Sequence, residues 1–167
     1  MQLRHPKNSD ADALLALMKH LDEETKFMML EPGERTATVA DQRKVIESFH
    51  DSNSKVMFVA DNDEQLIGFV VGAGKMANRN KHVMYCVIGI LERAQARGLG
   101  TKLMTRLETW ARRHHFTRLE LTVMVHNHRA KALYTKLGFE VEGIKRNSLR
   151  VDGAYVDEFY MSKLLLE

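Results

Sequence analysis

Between Gln95 and Thr101 the chain reads Gln-Ala-Arg-Gly-Leu-Gly-Thr, with basic residues at Arg93, Arg97 and Lys102. Glycine lets main-chain N–H groups turn toward an anion, and a helix N-terminus adds its dipole, so the segment suits a pyrophosphate. It fits neither common nucleotide pattern. A Walker loop needs four residues between its first glycine and a Gly-Lys pair, and a dinucleotide fold needs a third glycine where Leu103 stands. Metal chemistry lacks a ligand set: His114-His115 and His126-x-His128 match neither helical i, i+4 ligation nor a Cys/His cluster. Cys86 lies within an apolar run, where burial raises a thiol pKa and favours a core role over a nucleophilic one.

The elements that must hold this loop follow from hydrophobic period. Met1 to His5 reads as a short strand ended by Pro6. Asn8, Ser9 or Asp10 can cap a helix with Ala13, Leu14, Leu17, Met18 and Leu21 on its apolar face. Thr25 to Thr38 reads as loop, Thr38 to Phe49 as a second amphipathic helix, and Val56 to Ala60 and Leu66 to Gly74 as a hairpin around Asn62-Asp63. Three glycines in Leu66 to Gly74 imply bending or close backbone approach. His82 to Leu91 is almost unbroken apolar sequence, predicting a central strand covered on both faces. From Gly98 to His114 the period is helical, with Leu99, Leu103, Leu107 and Trp110 on one side and Lys102, Arg106, Thr109 and Arg113 on the other. Leu119 to Val125 is a further strand. His128 to Leu137 is a helix closed by Gly138-Phe139, and Val141 to Val151 and Ala154 to Leu165 flank Asp152-Gly153, a type I′ hairpin turn.

The whole chain has 167 residues, 44% of them hydrophobic and 28% charged, with 2 prolines, which excludes disordered and fibrous classes. A core of useful size is available at this length without disulfides. One cysteine suits a reducing compartment, and no apolar run approaches the roughly 18 residues of a membrane span or forms a secretory signal. These features predict a cytoplasmic chain. The net charge of +3 is unevenly spread: residues 1 to 83 sum to −2 and residues 84 to 167 to +5. Between Arg93 and Lys136 ten Lys or Arg face only Glu108 and Glu120. No aromatic-rich strand or recognition helix accompanies that charge, so nucleic acid is not the expected partner.

Thirty residues beyond the glycine loop, Asn127-His128-Arg129-Ala130-Lys131-Ala132-Leu133-Tyr134-Thr135-Lys136-Leu137-Gly138-Phe139 supplies a second motif. Gln95-x-x-Gly98-x-Gly100 after a long apolar strand, followed by this segment, resembles the GCN5-related N-acetyltransferases. Residues 55 to 165 carry the resemblance. Arg150 to Asp157 adds a similarity to the branch that acts on free amino acids or protein N-terminal amines. The resemblance implies an α/β fold: one domain with a central mixed and splayed β-sheet flanked by about four helices. It divides into an acceptor side (1–54), an acetyl-CoA core (55–139) and a C-terminal hairpin (140–167).

The same resemblance implies that the pantetheine arm of acetyl-CoA bonds to the main chain of Ile88 and Ile90, with Gly89 able to ease a bulge between them. The phosphates would take N–H groups of Gln95, Ala96, Arg97, Gly98, Leu99, Gly100 and Thr101. Asn127 would reach the cofactor or serve as an ordinary helix N-cap, and one residue can do both. Ala130 would leave room for the cofactor or simply favour the helix. Tyr134 would give a proton or hydrogen bond to the departing thiolate. Some family members carry a glutamate base on the central strand, but Val83 to Leu91 holds no carboxylate. Deprotonation of the acceptor would then pass through a water ordered by Glu120, with Asp157 and Glu158 as weaker candidates. The expected activity is acetyl transfer, by direct attack in a ternary complex, to a primary amine of a small molecule, amino acid or peptide N-terminus. The alternative is a non-catalytic acyl-CoA-binding regulatory module. Neither a metal nor a membrane is an expected partner, and the chain is expected to be a monomer or homodimer.

Overall fold

The computed structural model describes residues 1–63 and 65–166. Seven strands form one sheet in the order β1-β2-β3-β4-β5-β7-β6. The chain runs β1 (Gln2–Arg4), α1 (Ala11–Glu24), α2 (Val39–Phe49), β2 (Lys55–Asp61), β3 (Leu66–Gly74), β4 (Val83–Ile90), α3 (Leu99–Arg113), β5 (Arg118–Met124), α4 (His128–Lys136), β6 (Glu140–Val151) and β7 (Ala154–Leu164). All neighbours are antiparallel except β4 and β5, so the sheet is mixed as expected.

Local chemistry accounts for most boundaries. Thr38 caps α2 by accepting the Asp41 N–H while the Asp41 carboxylate accepts the Thr38 N–H, a reciprocal capping box. Gly138, at φ +96°, ends α4, and the Phe139 N–H reaches back to the Tyr134 carbonyl at 2.9 Å. Asp152 (φ 51°) and Gly153 (φ 82°) make the left-handed pair that a type I′ turn requires. The start of α1 differs from expectation. A short 3-10 turn over Asn8–Asp10 precedes it, and the Asp10 side chain binds the Lys7 N–H and Arg4 instead of capping the helix. Arg4 holds the Asp10 carboxyl below the usual carboxylate range. Ala13 is exposed, and Ala11 and Leu15 take its place on the buried stripe.

Two helices cover each face. A side chain at Gly72 would come within 2.4 Å of Met84 and 2.7 Å of Leu107 on α3, and one at Gly74 within 2.8 Å of Phe116. The glycines of β3 thus mark close approach of α3 to the sheet. On the opposite face a Cβ at Gly89 would meet Phe69 at 2.5 Å and Leu21 of α1 at 3.0 Å. The β3–β4 register runs evenly through Phe69↔Gly89, so Gly89 sits in no bulge of that ladder and is small because two apolar side chains occupy its space. α4 lies on the α3 side, with Leu133 against Gly100 and Lys131 over the Phe159 ring.

β4 is not covered on both faces along its full length. Met84 and Cys86 are buried on the α3 side, but Val87 on the α1 side is 41% exposed. An apolar run predicts that a strand is central. It cannot tell whether its cover is protein or something that binds there.

Candidate active site

β4 and β5 pair only over Val83–Tyr85 and Arg118–Glu120, and then separate. Beyond that point β4 stays with β3 as far as Ile90, and β5 stays with β7 as far as Met124. Hydrogen bonds between antiparallel strands alternate. Lys75 donates to the Val83 carbonyl and Leu91 to that of Ile67, so the odd-numbered residues of β4 bond to β3. The main-chain groups of Ile88 and Ile90 therefore face the opening, where no strand among the described residues pairs with them. The opening is a half-edge inside a sheet, able to take an extended amide-bearing chain as an added strand.

At its end the chain bends through Glu92–Ala94 into the glycine loop. Ala96 (φ 60°) and Gly98 (φ 77°) are both left-handed, which turns successive amides to one side. The first amide of the α3 ladder to find an acceptor is Lys102, on Gly98. Those from Ala96 to Thr101 have no backbone acceptor among the described residues. Arg93, Arg97 and Lys102 lie within or beside this segment, and all three are exposed. The Gln95 side chain donates to the Ile90 carbonyl at 3.1 Å and accepts from Arg129 of α4, bridging the two lips of the opening. Sequence reasoning does not single out Arg129. It lies inside the second motif, but a lone exposed arginine on a helix carries no signal until the fold brings it to Gln95.

Tyr134 is buried on α4, its ring 5.8 Å from that of Phe139. Its pKa is pushed upward, first by burial and then by the groups at Cys86 and Tyr85. Both of those groups lie on β4 at the point where it leaves β5. The Tyr134 hydroxyl has no hydrogen-bond partner among the described residues. Cys86 is buried and its thiol is pushed up to about 12 by burial. Asn127 caps α4 by accepting the Ala130 N–H at 3.3 Å, and its own amide hydrogens have no partner among the described residues. Ala130 lies half-buried one turn before Tyr134.

The structure gathers Ile88, Ile90, Gln95 to Thr101, Asn127, Ala130 and Tyr134 around one opening, and sets Glu120 apart. Glu120 stands at the paired, closed end, within 3.1 Å of Arg118 and 3.5 Å of Lys75. Two cations already occupy it. On the same face the Tyr85 hydroxyl meets the Thr122 hydroxyl at 2.9 Å across the closing gap. The α1–α2 loop roofs this side: Lys26 pairs with Asp152 at the β6–β7 turn, and the Phe27 ring lies 5.1 Å from that of His126. Glu24 anchors the near end of the loop by accepting the Glu92 N–H. Among the described residues no three His, Cys, Asp or Glu side chains form a metal-binding group, and no helix is long and apolar enough to cross a membrane.

An open sheet split beside a phosphate-type loop defines a class, and comparison with known proteins agrees. Residues 15–139 match the model of the acetyltransferase (GNAT) family. The chain belongs to that family. It is 33% identical over 110 residues to the L-amino acid N-acetyltransferase AaaT of Escherichia coli, covering 64% of this chain and 66% of the relative. It is 30% identical over 115 residues to the ribosomal protein uS5-alanine N-acetyltransferase of Escherichia coli, covering 68% and 59%. The chain thus spans less than two thirds of the length of each. Among solved structures, an acetyltransferase of the GNAT family from Streptococcus pneumoniae superposes with a TM-score of 0.93 at 27% identity, covering 98% of both chains. The yncA protein of Salmonella typhimurium, solved with its cofactor acetyl-CoA, superposes with a TM-score of 0.88 at 20% identity, covering 100% of this chain and 95% of its own.

Proposed function

We propose that this protein transfers an acetyl group from acetyl-CoA to a primary amine, of the α-amino type found in amino acids and peptide N-termini. The observation that carries this reading is the opening between β4 and β5, with main-chain groups of Ile88 and Ile90 turned into it on one lip and the glycine loop at its end.

The residues present fit acetyl-CoA. Ile88 and Ile90 offer donors and acceptors at strand spacing to a pantetheine arm, and the amides from Ala96 to Thr101 converge for a pyrophosphate with no competing backbone acceptor among the described residues. Arg93, Arg97, Lys102 and Arg129 add positive charge around that position. Asn127 has amide hydrogens to offer the arm while its oxygen holds the helix. When bound, acetyl-CoA supplies an acyl group already activated as a thioester. The protein supplies position and protons. Tyr134 holds its proton firmly because burial disfavours the phenolate, and a phenol with no hydrogen-bond partner among the described residues can donate to a sulfur on which negative charge develops. Cys86, kept as a thiol by burial, is not needed as a nucleophile, so transfer runs directly from thioester to amine. The amino-acid and protein-alanine acetyltransferases among its relatives support an α-amine acceptor.

The test is thiol release from acetyl-CoA with L-amino acids, their amides and short peptides. Turnover with at least one α-amine is expected, together with calorimetric binding of acetyl-CoA. Binding without turnover on any of them would reduce the protein to an acyl-CoA-binding module, and absence of binding would refute the reading entirely.

A further inference from the structure

We infer that Glu158, on the floor of the roofed face, receives the acceptor's ammonium group and takes its proton; this rests on the acetyltransferase reading above. Glu158 is only 6% exposed, yet it forms no ion pair among the described residues. Its Oε1 accepts the Ser148 hydroxyl at 2.8 Å. Its other oxygen has no hydrogen-bond partner among the described residues, and it is not sealed off as Glu24 Oε2 is. A carboxylate so far out of water is disfavoured unless a cation or several donors accompany it, so most buried carboxylates come with an arginine or lysine. The nearest lysine by register, Lys145, directs its ammonium over the Tyr160 ring instead. An ammonium from outside would complete the pairing.

Position says what it is. In the β5–β7 ladder Glu158 opposes Met124, Tyr160 opposes Thr122 and Ser162 opposes Glu120, so these side chains share one face. Thr122 joins that face to β4 through its bond with Tyr85, at the start of the opening. α4 lies on the other face, over Phe159, while Lys26 reaches Asp152 of the hairpin turn and the Phe27 ring packs on His126. A carboxylate with one unengaged oxygen and the edge of the opening thus share one face, an arrangement suited to a primary ammonium. Glu120, also on this face, already has Arg118 and Lys75.

The proton balance closes. The ammonium gives one proton to Glu158, which returns it to water. The neutral nitrogen forms the N–C bond as the C–S bond breaks, and its second proton replaces the one that Tyr134 gives to sulfur.

Glu158→Gln keeps the shape and can still accept from Ser148, so it separates charge from structure. With L-alanine, L-alaninamide and an alanine-initiated peptide as probes, E158Q is expected to lower kcat/KM for the amine by on the order of 10²-fold, the usual scale of a positioned base. Its melting temperature and its calorimetric affinity for acetyl-CoA should match wild type. Retention of amine kcat/KM within a few-fold of wild type would overturn the assignment. So would a loss matched by falls in melting temperature and acetyl-CoA affinity, which would mark a structural carboxylate. If wild type itself releases no thiol with any of the three probes, the α-amine reading fails and Glu158 falls with it.

Discussion

Tyr134 and Cys86 are two acids that the fold keeps protonated, and the same burial makes both groups sensitive to alkali. Removing the hydroxyl in Tyr134→Phe leaves the ring contact with Phe139 intact and breaks no hydrogen bond among the described residues. The variant should melt near the wild-type temperature while kcat falls on the order of 10²-fold or more, read by thiol release. Native thiol and phenol both ionise later than their unfolded counterparts. Folding stability from them is therefore complete below the unfolded values, near 9 for Cys86 and 10 for Tyr134, and is lost as pH rises toward the folded value, about 12 for the thiol. Urea unfolding followed from about pH 8 to 11 should show that decline. Cys86→Ala should flatten part of it, whatever it does to stability at neutral pH. An unchanged slope would mean that water reaches the thiol in the folded state.

Among the elements, the loop into α3 and the β3 strand use glycine for different physical reasons, and alanine distinguishes them. Gly98 is left-handed with nothing within 4 Å of where a methyl would stand, so Gly98→Ala should cost about 1 kcal/mol of backbone strain and shift the amides that face the phosphates. Gly72 has an ordinary backbone, but a methyl there would press on Met84 and Leu107, so Gly72→Ala should cost about 1–3 kcal/mol through overpacking. Denaturant unfolding together with acetyl-CoA titration separates the two: Gly98→Ala should weaken binding more than stability, and Gly72→Ala the reverse. Much of this scale was legible in the sequence. Asp152-Gly153, Gly138-Phe139 and the helical stripes carry their conformations in a few adjacent residues. What local sequence misplaced was the entry to α1, because Asp10 is claimed by Arg4, a residue of another element, and the cover over β4, because Val87 faces an opening that its own run of apolar neighbours does not reveal.

For the whole molecule, the uneven charge becomes a local one. Of the basic residues between Arg93 and Lys136, Arg112 is paired with Glu108, and Arg118 with Glu120 and Glu142. Arg93, Arg97, Lys102 and Arg129 stay around the glycine loop. Acetyl-CoA at a hundred times its Kd should therefore stabilise the fold by about 2.7 kcal/mol, or roughly 5–10 °C in melting temperature. The gain at fixed ligand should shrink as salt is raised, because exposed cations are screened. A shift insensitive to salt would place binding elsewhere. At the acid end Arg118 and Ser162 hold the Glu142 carboxyl at about 2, down from 4.5. That contribution is present above 4.5 and fades as pH falls toward 2, so Arg118→Met should raise the midpoint pH of acid unfolding.

The sequence by itself determined the order of strands and helices, the glycine loop, the Tyr134 helix and the family they belong to, since each is written in residues a few positions apart. Only the tertiary structure decided where β4 leaves β5, that Arg129 meets Gln95, that Glu120 is already neutralised by two cations, and that Glu158 is buried without one among the described residues. Those facts depend on partners tens of residues distant, and whether a charge is satisfied is a property of the space around it rather than of its place in the chain.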